Sequence, residues 1–173
     1  WLGAARVTDV VRLGVARARH HGFFSEREFC LYISVMFMLG SHFDEDAQLP
    51  WVATSLRAAG WEPLRRIETL YRDTMYFVDD VAGEENERLV RALVRFRRLD
   101  RAAAERFRPD RLEAGVIEVL ADVYPEKAAK LGADGCQALV RRAVEGALHY
   151  RLAPQLGTLV YASYTRSPGF RTR

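Results

Sequence analysis

Residues 22–51, GFFSEREFCLYISVMFMLGSHFDEDAQLPW, decide the fold. Ser25-Glu26-Arg27-Glu28 has the S-x-x-E form of a capping box, and Phe24 stands where a hydrophobic staple would. From Glu26 to Leu39 the side chains are apolar nearly all round, which predicts a central helix that its neighbours bury. Gly40 ends that helix, Ser41 to Gln48 forms a polar loop, and Pro50 suits the first turn of a short helix closed by Gly60. The run from Phe29 to Leu39 is far shorter than the roughly 20 residues of a membrane span, so it reads as core.

Working outward, helical spacing recurs on both sides. Val7, Val11, Gly14, Val15 and Ala18 share one face of a helix from Leu2 to His21, stopped by Gly22. Pro63 opens a helix to about Val81 with Leu64, Ile67, Leu70, Tyr71, Met75 and Val78 inward. Another begins near Glu84, with Leu89, Val90, Leu93, Val94 and Phe96 as its buried side and a weak continuation past Asp100 to Phe107. Pro109 starts a helix with Leu112, Val116, Ile117, Leu120 and Val123 inward, ending before Pro125. Lys127 to Ala133 reads as a connection or helical turn. Asp134 with Gln137 opens a helix to about Tyr150, and Pro154 begins a last one that fades by Arg166. No strand alternates convincingly. The expectation is one all-α domain over residues 1–173, a bundle of about seven or eight helices, with residues 167–173 a flexible basic tail.

A shift of 129 positions sets Val11 on Val140, Val15 on Val144, Ala18 on Ala147 and His20 on His149 without a gap. Tyr32 then meets Tyr161, Ser34 meets Ser163 and Gly40 meets Gly169. Either a degenerate helix-pair repeat stands at the two ends, or two Ala/Arg/Val helices coincide in composition and period. Both readings stay open.

Composition is that of an ordinary globular chain, with 49% hydrophobic and 28% charged residues over 173 positions. A net charge of +3 is too small to imply a polyanion partner by itself. Arg dominates, since only Lys127 and Lys130 among 26 basic residues are lysines, as a GC-rich genome alone would produce. Cys30 and Cys136 lie in apolar patterns and read as small buried hydrophobes of a reducing compartment. No signal-peptide pattern is visible, a cytoplasmic location is expected, and the start at Trp1 rather than Met leaves open whether the chain is whole, a fragment or trimmed.

Catalytic constellations are weak. His20, His21, His42, Asp44, Glu45 and Asp46 carry metal-ligand atoms, but His20 and His21 diverge by about 100° on a helix. The acidic loop lacks the glycine and distal glutamate of an EF-hand. There is no G-x-S-x-G elbow, P-loop, G-x-G-x-x-G or H-E-x-x-H. An enzyme is therefore not expected, nor a metal or cofactor.

Two groups remain as binding candidates. Phe43, Asp44, Asp46 and Trp51 mark the loop, where large apolar residues either anchor a partner or pin the loop to the core. Pinning is favoured for Phe43, and Trp51 is open. Arg88, Arg91, Arg95 and Arg98 recur at i, i+3, i+7 and i+10, opposite Leu89, Leu93 and Phe96. They form either a surface for phosphates or an acidic partner, or a solvated helix face partly neutralised by Glu85 and Glu87. The solvated face is favoured, because no aromatic reading surface accompanies the arginines.

The 22–51 stretch resembles a signature of small helical accessory proteins and domains encoded in bacterial type VI secretion effector cassettes. The matching residues are Gly22, Phe23, Ser25, Glu26, Arg27, Glu28, Met36, Phe37, Leu39, Gly40, Phe43, Asp44, Asp46, Pro50 and Trp51. Ala47 departs from the pattern where proline is usual, and Tyr124-Pro125-Glu126 fits the type more weakly. The resemblance implies a non-enzymatic adaptor or chaperone that binds a secretion effector, an adaptor or a spike component, and it carries over no catalytic residue. The alternatives are an immunity protein that neutralises a co-encoded toxin, and a nucleic-acid-binding module using Arg88 to Arg98. A nucleic-acid or membrane partner is not expected, and the sequence leaves the oligomeric state open.

Overall fold

A computed structural model describes residues 3–46, 48–99, 111–149 and 151. Among them there are seven α-helices and no strand, so the chain is all-α. They are α1 (Gly3–His20), α2 (Glu26–Leu39), α3 (Pro50–Leu56), α4 (Pro63–Ala82), α5 (Glu87–Arg97), α6 (Leu112–Val123) and α7 (Pro125–His149). Single 3-10 turns at Phe43–Glu45 and Glu84–Asn86 precede α3 and α5. None of these helices is long and apolar enough to cross a membrane. The described residues group into two compact units that meet in sequence at Phe77 and Val78.

In the first unit the chain folds back on itself at Gly22, whose φ of 79° suits a residue without Cβ. Ser25 then caps α2, its hydroxyl accepting from the Glu28 amide while the Glu28 carboxylate accepts from the amides of Ser25 and Phe24. That is the capping box expected from S-x-x-E. α1 and α2 approach closely at Gly14, where a Cβ would lie 2.7 Å from Cγ1 of Ile33 and 3.2 Å from Cε of Met36. The core gathers Ala18 of α1, Phe23, the α2 side chains Tyr32, Val35 and Met36, and Phe43, Leu49, Val52 and Leu56 beyond. Ile67 and Leu70 of α4 complete it.

The burial expected around α2 is only half present. Its inner face is covered, but Phe37 is 60% exposed and Cys30 is exposed, so Cys30 is not the buried hydrophobe its apolar neighbours suggest. Val7 and Val11 on α1, and Leu64 and Met75 on α4, are likewise exposed rather than inward. Periodicity identified residues that share a face without revealing how far along the helix that face is covered. α3 stops at Leu56, short of Ala59, and Gly60 follows at φ 76°.

In the second unit α6 packs along α7, with Val116, Val140 and Ala143 buried between Leu112, Ile117, Leu120 and Val144. α5 lies against α6 through Ala92, Leu89 and Phe96 being half-buried. Tyr124 donates from its hydroxyl to the Val81 carbonyl at 2.8 Å. Of the two readings of 127–133, a connection or a helical turn, the helical one holds, because Pro125 occupies the first turn of α7, where its missing N–H costs nothing. The interruption falls at Gly132, with φ 67° and ψ −177°.

The described part of the internal repeat is mixed. Gly14 with Ala143, and Ala18 with Ala147, are buried pairs, but Val11 is exposed where Val140 is fully buried. Tyr161, Ser163 and Gly169, the helix expected from Pro154, the basic tail, the start at Pro109 and the extension to Phe107 lie outside the described residues.

Candidate functional site

The acidic loop is built around one carboxylate. Asp44 sits in the 3-10 turn Phe43–Glu45, and its side chain is 3% exposed. Arg17 of α1 donates from Nε to both oxygens at 3.1 Å and from Nη2 to Oδ1 at 2.6 Å. The Tyr32 hydroxyl donates to Oδ2 at 2.8 Å, and Nε2 of His21 lies 2.8 Å from the same oxygen. Arg17 also reaches Glu45 Oε1 at 2.9 Å. A buried carboxylate is tolerated where its lone pairs are filled by such donors.

Burial by itself pushes the Asp44 carboxyl up, but the hydrogen bonds from His21, Arg17 and Tyr32 and the Arg17 charge outweigh it. They hold Asp44 well below the usual carboxylate range. Burial and the neighbouring Asp44 charge push the Tyr32 phenol above its ordinary value. Arg17 is also raised, its bonds to Asp44 and Glu45 overcoming desolvation. Tyr32 keeps its proton and Asp44 its charge across the neutral range.

Aromatic rings close over this cluster. Tyr32 meets Phe43 at 5.0 Å between centroids and Phe23 at 6.1 Å. Arg66 of α4 braces it from below, donating to the carbonyls of Leu56 at 2.5 Å and His21 at 3.2 Å while standing over the Phe23 ring. Arg17, Tyr32 and Arg66 are not among the sequence candidates, and His21 is there only as a weak metal-ligand candidate. The capping and turn chemistry is local, whereas these partners come from elsewhere in the chain.

The loop candidates therefore serve the interior. Phe43 is fully buried, as pinning requires. Asp44 is enclosed, and Asp46 is 8% exposed with Oδ1 accepting from the Gln48 amide. Trp51 is half-buried against Phe77 at 5.8 Å. His21 makes its side-chain hydrogen bond to Asp44, and no hydroxyl or thiol among the described residues is bonded to it as a nucleophile would be. No group of three or more His, Cys, Asp and Glu side chains among the described residues is arranged to hold a metal.

The arginines of α5 divide into two sets. Arg88 donates to the Asp80 carbonyl at 2.6 Å and Arg95 to the Asp122 carbonyl at 3.0 Å, so both fasten backbone within the second unit. Lys130 pairs with Asp80 nearby and holds that carboxyl below its ordinary value. Arg91 faces the exposed Glu87 at 3.4 Å and the half-buried Glu126 at 3.9 Å, and Arg98 is exposed. The sequence expectation placed Val90, Leu93 and Val94 inward, but they are 54%, 58% and 47% exposed. The helix turns Ala92 to its neighbours instead, which rotates the covered face toward Leu89 and Phe96. An apolar strip edged on one side by Arg91 and Arg98 is what remains outside.

Comparisons with family models, with curated proteins and with solved structures find no match.

Proposed function

We propose that this chain is a non-enzymatic, protein-binding accessory protein, an adaptor or chaperone for a type VI secretion effector or spike component, acting in the cytoplasm before secretion. The observation that carries the reading is the exposed strip Val90, Leu93 and Val94 on α5, beside Arg91 and Arg98. Exposed aliphatic residues edged by arginine are the materials of a protein contact. The resemblance of residues 22–51 to type VI accessory proteins supplies the class of partner. The acidic loop supports the scaffold under this reading rather than the contact, since Asp44 is consumed internally by Arg17, His21 and Tyr32.

Co-purification with the products of neighbouring cassette genes tests the proposal. A stable complex with an effector, adaptor or spike protein is the expected result; capture of none of them overturns it. Rescue from a co-encoded toxin, with secretion unchanged, would select the immunity role instead. A phosphate-tracking role for the stripe is disfavoured because Arg88 and Arg95 are engaged with carbonyls.

A further inference from the structure

We propose that the outer face of α5 docks an acidic amphipathic helix, with Val90, Leu93 and Val94 receiving its apolar side and Arg91, Arg97 and Arg98 meeting its carboxylates. The inference rests on the protein-binding role proposed above and names the partner's chemistry.

Val90, Leu93, Val94 and Arg97 fall at i, i+3, i+4 and i+7, one continuous line along the helix. The three aliphatic residues on that line are exposed. This is the spacing by which one helix reads another, because each helix presents its own i, i+3, i+4 row. Arg91 and Arg98, seven apart, edge the same line on the Val94 side, and Arg97 stands at its C-terminal end. All three are exposed, and the basic last turn of α5 carries Arg95 and Arg97. The one acid within α5 is Glu87, placed against Arg91.

Charge therefore selects among occupants. Arg91 already has Glu87 and Glu126 beside it. A basic or neutral helix, however, would give Arg97 and Arg98 no carboxylate beside the apolar seam, whereas glutamates flanking a leucine row would meet them as in the edge pairs of coiled coils. A nucleic acid would satisfy the arginines but would cover three aliphatic side chains with phosphates. The arginines edge the strip on one side and at its C-terminal end, and Arg88 and Arg95 are turned to carbonyls, so the polyanion is the poorer fit.

The test is a phage-displayed library of random helical peptides of about 16 residues, roughly four turns, selected on the full chain. Selection is followed by solution affinities measured by fluorescence anisotropy. Enriched peptides are expected to be acidic, with apolar residues at i, i+3 and i+4. Leu93→Asp is expected to weaken them about tenfold or more, the effect of losing a central contact. Val90→Ser is a milder second variant, and circular dichroism checks that both remain folded. Arg91→Glu combined with Arg98→Glu should invert the preference toward lysine-flanked peptides.

No enrichment, enrichment of basic or neutral peptides, or equal binding by Leu93→Asp overturns the inference. So does a single-stranded oligonucleotide that binds more tightly than any selected peptide and is indifferent to Leu93→Asp. If wild-type and Leu93→Asp chains capture the same secretion partner equally, the accessory role stands and α5 is not its surface. If acidic peptides bind but no secretion partner does, the α5 surface stands and the accessory role falls.

Discussion

Arg17 grips both carboxylate oxygens of Asp44, a residue 27 positions further along the chain, with its shortest contact at 2.6 Å. The pair ties α1 to the 3-10 turn that leads into α3, and it does so where only 3% of the Asp44 side chain meets solvent.

Asp44→Asn should therefore destabilise the protein by about 3–5 kcal/mol, the range for removing one member of a buried ion pair. The pH dependence has a definite sign. The folded carboxyl lies below its unfolded value of about 3.9, so its stabilisation is fully present above that value and is lost as pH falls toward the folded one. Urea titrations between about pH 3 and pH 7 should show a steep acid limb in the wild type and a flatter one in Asp44→Asn. Identical acid limbs would mean that Asp44 is not the group being protonated.

Gly14 is the point at which α1 and α2 nearly touch. Gly14→Val places carbon where Ile33 Cγ1 would be 2.7 Å from its Cβ, and overpacking of this kind costs about 1–3 kcal/mol. Ile33→Ala in the same chain should recover part of the loss, so the double-mutant cycle shows coupling. Strict additivity of the two melting shifts would contradict the close approach.

Ser25→Ala removes the hydroxyl that accepts from the Glu28 amide and leaves half of the capping box. The expected cost is about 1 kcal/mol. Amide hydrogen exchange at the start of α2 should quicken more than exchange near Met36. Uniform protection along the helix would count against the cap.

Gly132 has open space around it, with nothing within 4 Å of where a Cβ would stand. Its backbone is nonetheless in a region that only glycine occupies readily, at φ 67° and ψ −177°. Gly132→Ala should thus destabilise by about 1–3 kcal/mol despite the available room. A rise in melting temperature would indicate that α7 had straightened into one helix.

Local chemistry was legible in the sequence and distant chemistry was not. Ser25 and Glu28 form the cap their spacing implies, and Gly22 and Gly40 adopt positive φ at the helix ends expected of them. Phe43 was rightly read as a pin. The partners of Asp44 are not legible, because no local spacing links Arg17 to a carboxylate 27 positions on and His21 reads only as a weak metal ligand. Leu93 and Val94 were placed inside because a 3.6-residue pattern reports an apolar face whether or not anything covers it. Pro125 does lie just beyond the end of α6, but it also starts α7, which the sequence reading begins only at Asp134.

The outward position of Cys30 has a practical side. The chain holds two cysteines, and the other, Cys136, is buried with its thiol pushed up by that burial. A maleimide dye should consequently mark α2 first, at a native position, giving a built-in reporter for titrating assembly without engineering a label.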